Sequence, residues 1–193
     1  MTIPARSPEL MNADDTALLV VDVQEKLIPL IEHNRLIQWN IGRLLRAANE
    51  LPVATAATEQ YPKGLGNTID LGTNLPDTIE QKLMFSCREA ASIFSSWSQA
   101  GIRKILICGI ETHVCIQQTV LDLLADGFRV YLATDAIGAR HSLDHQTALR
   151  RMESSGAILT TTESALFEWC NTAEHAAFKT ISALVRELPP SSA

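Results

Sequence analysis

Apolar runs alternate with amphipathic stretches along the whole chain. Five short runs rich in Val, Ile, Leu and Thr predict strands: ALLVVDVQ (17–24), VATAATE (53–59), KILICG (104–109), RVYLATD (129–135) and AILTTTE (157–163). Most are apolar on both faces, the pattern of strands covered by helices on both sides. EQKLMF (80–85) predicts a further short strand. Between them, apolar residues recur at helical spacing. Over 35–50 these are Leu36, Ile37, Ile41, Leu44 and Leu45, and Leu51-Pro52 ends the helix. Further helices are predicted over 89–99, 112–126 and 142–155, with Gly101, Gly127 and Gly156 suited to cap them, and a last one over 176–188. One long irregular segment, 60–77, holds three glycines and two prolines, and loops of this length are usually functional or mobile.

Repeated strand–helix units of this length imply parallel strands joined by right-handed crossovers. The expected fold is α/β: a three-layer α/β/α sandwich with a mainly parallel, Rossmann-like sheet. It forms one domain over 1–193, with 1–14 and 189–193 as flexible tails.

Composition narrows the setting. Aromatics make up only 5% of the chain, so aliphatic side chains and alanine must fill the core. The net charge of −6 argues against a nucleic-acid or anionic-membrane partner. The longest apolar run, 17–21, is far short of the ~20 residues that cross a bilayer, and the first fifteen residues carry no secretory signal. The four cysteines form no C-x-x-C pair, which fits reduced thiols in the cytoplasm.

In doubly wound sheets the ligand crevice lies beyond the carboxyl ends of the strands, and three features point there. Asp22 interrupts the apolar run VVDVQ. KILICGIETHVC carries a strand through a turn into a helix and puts Cys115 near that helix's first turn. Lys82 stands where the irregular segment meets the next apolar stretch. A helix N-terminus and a nearby ammonium stabilise a thiolate, and a carboxylate can accept the thiol proton and later activate water. Cys115, Lys82 and Asp22 suit those three roles. The same residue types also have plain readings: a capping Asp, a solvated Lys, an inert buried Cys.

The same residues carry a resemblance. LLVVDVQ, KLMFSC, CGIETHVC and GFRVYLATDAIGAR, in this order and spacing, resemble the isochorismatase-like hydrolases, or cysteine hydrolase superfamily, over nearly the whole chain. TEQYPKGLGNT is similar to a metal-free subgroup of poorly defined substrate. The resemblance implies a catalytic triad of Asp22, Lys82 and Cys115. It also implies a cis peptide at Ile110–Glu111, with the backbone N–H groups of Glu111 and Cys115 forming an oxyanion hole. Metal-dependent members bind a metal through an Asp and several His between the first helix and the lysine. Here none of the five histidines lies between 34 and 112, so no metal and no other cofactor is expected. Homo-oligomers, dimeric or larger, are implied as well.

Glu59, Gln60 and Tyr61 follow a strand end and are candidates for orienting a polar substrate, with an ordinary surface turn as the alternative. His113 is placed to line or rim the pocket. It is poorly placed as a base for Cys115, because residues two apart on a helix diverge. His141 and His145 have a metal-like i,i+4 spacing but lack a third ligand, so a polar helix start accounts for them better. Cys108 is expected to pack within its strand, and Cys87 matches no catalytic position. The leading expectation is hydrolysis of a small amide, ureide or related C–N bond through a Cys115 thioester. The alternatives are isochorismatase-type vinyl-ether hydrolysis and a catalytically silent binding member.

Overall fold

The computed structural model describes residues 6–190. Its strands are β1 (Thr16–Val21), β2 (Ala54–Gln60), β3 (Ile79–Lys82), β4 (Lys104–Ile110), β5 (Arg129–Gly138) and β6 (Ile158–Thr160). Its helices are α1 (Asn34–Glu50), α2 (Pro62–Leu65), α3 (Ala91–Gln99), α4 (Gln117–Ala125), α5 (Ser142–Ser154), α6 (Thr162–Cys170) and α7 (Phe178–Val185). The strands form one parallel sheet in the order β3-β2-β1-β4-β5-β6. Every residue of β1 and β4 is buried, which is why those runs are apolar on both faces. Helices α1, α6 and α7 pack together as one layer, and α3, α4 and α5 make the other. Along α1 the buried stripe is Ile37, Ile41, Leu44, Leu45 and Ala48, and each large aliphatic side chain buried there contributes about 1.5–3 kcal/mol.

Strand order reverses between β1 and β4, which is the switch point where doubly wound sheets place their ligand crevice. Gly109 is what lets the two strands close there. It takes φ +117°, and a Cβ at this position would lie 2.1 Å from the Val21 carbonyl oxygen. The β4–β5 register shifts at the same level, between Ile107 and Gly109.

The structure revises four sequence expectations. The helix over 112–126 is two elements: a π turn over Thr112–Ile116, then α4. The strand over 157–163 shrinks to β6, and an unforeseen helix, α6, follows. Its start is held by Thr161 Oγ1, which accepts from Ser164 N, and by Asp135 Oδ1, which accepts from Thr162 N at 2.8 Å. The threonine run at 160–162 reads as β-branched strand, but its last members act as helix caps. EQKLMF pairs only as far as Lys82, and Leu83, Met84 and Phe85 leave the sheet with their side chains exposed.

Of the expected flexible tail over 1–14, residues 1–5 lie outside the described residues, as do 191–193. Within residues 6–14, Met11 is fully buried, Lys104 Nζ donates to Leu10 O at 2.8 Å, and Tyr131 Oη donates to Glu9 O at 2.7 Å.

Candidate active site

Asp22 follows β1 in the left-handed region, at φ 51°, and its backbone N–H still donates to Thr58 O of β2. This kink ends the strand and directs the carboxylate into a closed polar cluster. Oδ1 accepts from Thr58 Oγ1 at 2.7 Å and Oδ2 from Lys82 Nζ at 2.7 Å. The ammonium also donates to Gln60 Oε1 at 2.7 Å and to Phe85 O at 3.0 Å. Burial works against the charge on Lys82, but Asp22, Cys87 and Cys115 outweigh it and hold the ammonium above the ordinary lysine range.

Cys115 lies in the π turn at the end of β4, nearly closed off from solvent. π turns inside helices often occur at functional sites. Val114 N and Ile116 N both donate to Glu111 O, while Thr119 Oγ1 donates to Cys115 O at 2.7 Å. The Ile110–Glu111 peptide is cis. The Cys115 thiol is close enough to Asp22 and Lys82 to feel both charges. Burial and this carboxylate together push it well above the ordinary thiol range, and Lys82 only partly offsets them. A thiolate stabilised at rest, which helix position and a neighbouring lysine suggested, is therefore not what the surroundings favour.

The other residues singled out from the sequence fall in different places. Glu59 Oε1 accepts from Thr68 N and Thr68 Oγ1, at 2.6 and 2.8 Å, and so ties down the 61–77 loop. Gln60 bonds Lys82. Both are turned inward, where a role in orienting substrate was expected, because the loop backbone and the ammonium need acceptors. Tyr61 is half exposed in the left-handed region, with its ring over Gly64, where a Cβ would come within 2.3 Å of it. His113 Nε2 faces Asp144 Oδ2 at 3.9 Å, and its buried Nδ1 has no hydrogen-bond partner among the described residues. Glu111 Oε2 accepts from the backbone and side chain of Arg140, both at 3.1 Å.

Cys87 is unexpectedly close to the cluster. It is fully buried, its Sγ lies 3.4 Å from Thr58 Oγ1, and its N–H donates to Thr119 Oγ1. Burial and Asp22 push its thiol up to about 11, with Lys82 pulling the other way. Sequence reading also missed Thr58, Thr119 and Gln24; only pairing of β1 with β2 makes the first of these a partner of Asp22.

Beside the π turn, a cavity of about 190 Å³ opens between α1, β5 and α5, with Glu32, Ile37, Gly138, Ser142 and His145 in its lining. His145 Nδ1 reaches Thr112 Oγ1 at 2.9 Å, and burial holds this imidazole below the ordinary histidine range. His145 thus braces the turn that carries Cys115. Among the described residues, no three His, Cys, Asp or Glu side chains gather as a metal-binding set.

Comparison with known proteins decides the family. The isochorismatase domain matches residues 16–164. The chain belongs to the isochorismatase family. This isochorismatase-family chain is 37% identical over 182 residues to isochorismatase domain-containing protein 1 of Salmo salar, covering 92% of itself but only 63% of that protein. Its fold is similar to the structure of MAR1 ribonuclease from Caenorhabditis elegans, with a TM-score of 0.84 and 34% identity over 94% of this chain and 95% of that one. At 22% identity and a TM-score of 0.79, covering 93% and 92% of the two chains, it shares its fold with the ycaC gene product of Escherichia coli, described as an octameric hydrolase of unknown specificity. No helix among the described residues is long and apolar enough to cross a membrane.

Proposed function

We propose that this isochorismatase-family protein hydrolyses a small-molecule amide, ureide or related C–N bond through a covalent intermediate on Cys115. One observation carries the reading: a solvent-free Asp22–Lys82 ion pair acts directly on a buried cysteine thiol. A thiol kept protonated needs a base at the moment of attack, and Asp22 is that base. Cys115 Sγ bonds to the carbonyl carbon while its proton passes to Asp22. The developing oxyanion is met by the backbone N–H groups of Glu111 and Cys115. Asp22 returns the proton to the departing nitrogen as the C–N bond breaks, leaving a thioester. Water then attacks, giving a proton to Asp22; the C–S bond breaks, the acid leaves and Cys115 recovers its proton. Lys82 stays charged and, with Thr58, fixes the carboxylate. General acid–base catalysis of this kind contributes roughly 10²–10⁴-fold.

The net charge of −6 and the enclosed cluster argue for a small substrate over a polynucleotide, although the C. elegans relative is described as a ribonuclease. We also place the protein in the cytoplasm, on its four free buried cysteines, and in a homo-oligomer. Support for the assembly comes from the exposed apolar Leu83, Met84 and Phe85 and from the octameric E. coli relative.

A panel of small amides and ureides, followed by ammonia release and by the mass of the Cys115 peptide, tests the reading. Turnover with an acyl group trapped on Cys115, both lost in Cys115→Ala, is the expected result. Full activity in that variant would rule out the thioester, and an enol-derived ketone as product would move the chemistry to vinyl-ether hydrolysis.

A further inference from the structure

An ammonium carries three hydrogens and accepts none. At Lys82 three acceptors lie within 3.0 Å, Asp22 Oδ2 and Gln60 Oε1, each at 2.7 Å, and Phe85 O at 3.0 Å, while Met84 O is farther off at 3.4 Å. Gln60 is the only one of the three that is a neutral side chain, and its amide is held in a single sense. Its Nε2 donates to Leu83 O at 2.8 Å, which leaves Oε1 toward the ammonium; the flipped amide would set NH₂ against NH₃⁺. Its backbone is clamped as well. Gln24 Oε1 accepts from Gln60 N at 2.8 Å, and Gln24 Nε2 donates to Gln60 O at 3.0 Å and to Gly66 O at 2.7 Å. Gln24 thereby joins the end of β1, the end of β2 and the turn at α2, all around one glutamine.

We propose that Gln60 is a positioning residue whose Oε1 holds the Lys82 ammonium charged and oriented against Asp22. The inference rests on the catalytic reading of Asp22, Lys82 and Cys115. The titratable groups facing the ammonium are Asp22 from the end of β1, Cys87 from the turn before α3 and Cys115 from the π turn. Without Gln60, a buried ammonium exchanges a 2.7 Å acceptor for, at best, the Met84 carbonyl at 3.4 Å, which favours the neutral amine. An ammonium held less firmly and less well oriented counters Asp22 less at the thiol, and Cys115 keeps its proton to higher pH.

The test needs no substrate. Alkylation of Cys115 by iodoacetamide is followed against pH by peptide mass spectrometry in the full chain, in Gln60→Met, Gln60→Asn and Lys82→Met, each well below its own melting temperature. Met fills the site without an acceptor. Asn stays polar but is too short to reach Lys82, and it serves if the Met variant does not fold. In both Gln60 variants the midpoint should rise by about 0.5–1 pH unit, which is roughly 3- to 10-fold slower alkylation at a fixed pH below it. Lys82→Met should raise it further. An unmoved or lowered midpoint in folded Gln60 variants, beside a shift in Lys82→Met, overturns the assignment of Gln60. No shift in Lys82→Met either would instead remove Lys82 from the thiol's chemistry, and the catalytic reading with it.

Discussion

Lys82 Nζ lies 2.7 Å from Asp22 Oδ2, and neither side chain reaches solvent. Breaking such a pair from one side strands a charge away from water, and that is costlier than removing both charges. Lys82→Ala should therefore lower unfolding stability by about 3–5 kcal/mol, read from urea denaturation. The double variant Asp22→Asn, Lys82→Met should lose less than the sum of its single changes, because it strands no charge. Additive losses would mean that the two groups act independently.

The same carboxylate opposes ionisation of Cys115 and, in the proposed mechanism, receives its proton. Asp22→Asn should separate these two effects. With the negative charge gone, the thiol loses one of the forces that raise it, so Cys115 alkylates at lower pH than in the parent. Turnover should nevertheless collapse by roughly 10²-fold or more, because no base remains beside the thiol. A variant that alkylates at lower pH and still turns over normally would remove Asp22 from the mechanism.

Alkaline pH should unfold the protein sooner than its carboxylates and arginines alone would dictate. Burial raises all four thiols in the folded chain above the ordinary value of 9.0, Cys87 to about 11. Below pH 9 each thiol is protonated in both states, and this stabilisation is fully present. Between pH 9 and 11 the unfolded thiols release protons while the folded Cys87 keeps its own, so stability falls as pH rises. Each such group contributes a slope of up to about 1.4 kcal/mol per pH unit. Lys82, also raised, adds to the loss only above its unfolded value of 10.5. Denaturation midpoints taken in reducing buffer at a series of pH values should show the fall, and Cys87→Ala should flatten it. A pH-independent midpoint from pH 8 to 11 would contradict the burial argument.

Much of this architecture was legible in the sequence, for reasons that differ from element to element. β1 and β4 are buried on both faces and so appear as unbroken aliphatic runs, and α1 carries a clean apolar stripe. The helix α6 was readable in principle, since Thr161 is a capping residue, Glu163 puts an acid in the first turn, and Ala165, Leu166, Trp169 and Cys170 recur at helical spacing, but the threonine run masked them. The inward turn of Glu59 and Gln60 was not readable. It depends on Thr68 and Lys82 being brought to them by a bridge between Gln24 and Thr68 and by the pairing of β2 with β3. The direction of the Cys115 thiol was likewise out of reach, since helix position and a lysine both pointed down while burial, a property of the whole fold, points up.

Thr58 has a single hydroxyl hydrogen, and its 2.7 Å contact with the Asp22 carboxylate commits it there. The 3.4 Å contact with Cys87 Sγ must then run the other way, with the thiol as donor. The chain Cys87 to Thr58 to Asp22 is therefore directional, and its links differ in strength. A hydrogen bond to a charged group is worth about 1.5–3 kcal/mol, whereas a thiol is a weak donor. Thr58→Val keeps the shape and removes the donor, leaving Oδ1 of a buried carboxylate without its partner. That variant should lose about 1–3 kcal/mol of stability and, on whichever amide or ureide the parent turns over, about 10-fold or more in kcat/KM. Thr58→Ser should restore most of both. Cys87→Ala removes only the weak link and should leave kcat/KM within about 2–3-fold of the parent, since less than ~0.6 kcal/mol is at stake. If the valine variant matched the parent in kcat/KM while Cys87→Ala did not, Cys87 and not Thr58 would be the group that steadies Asp22.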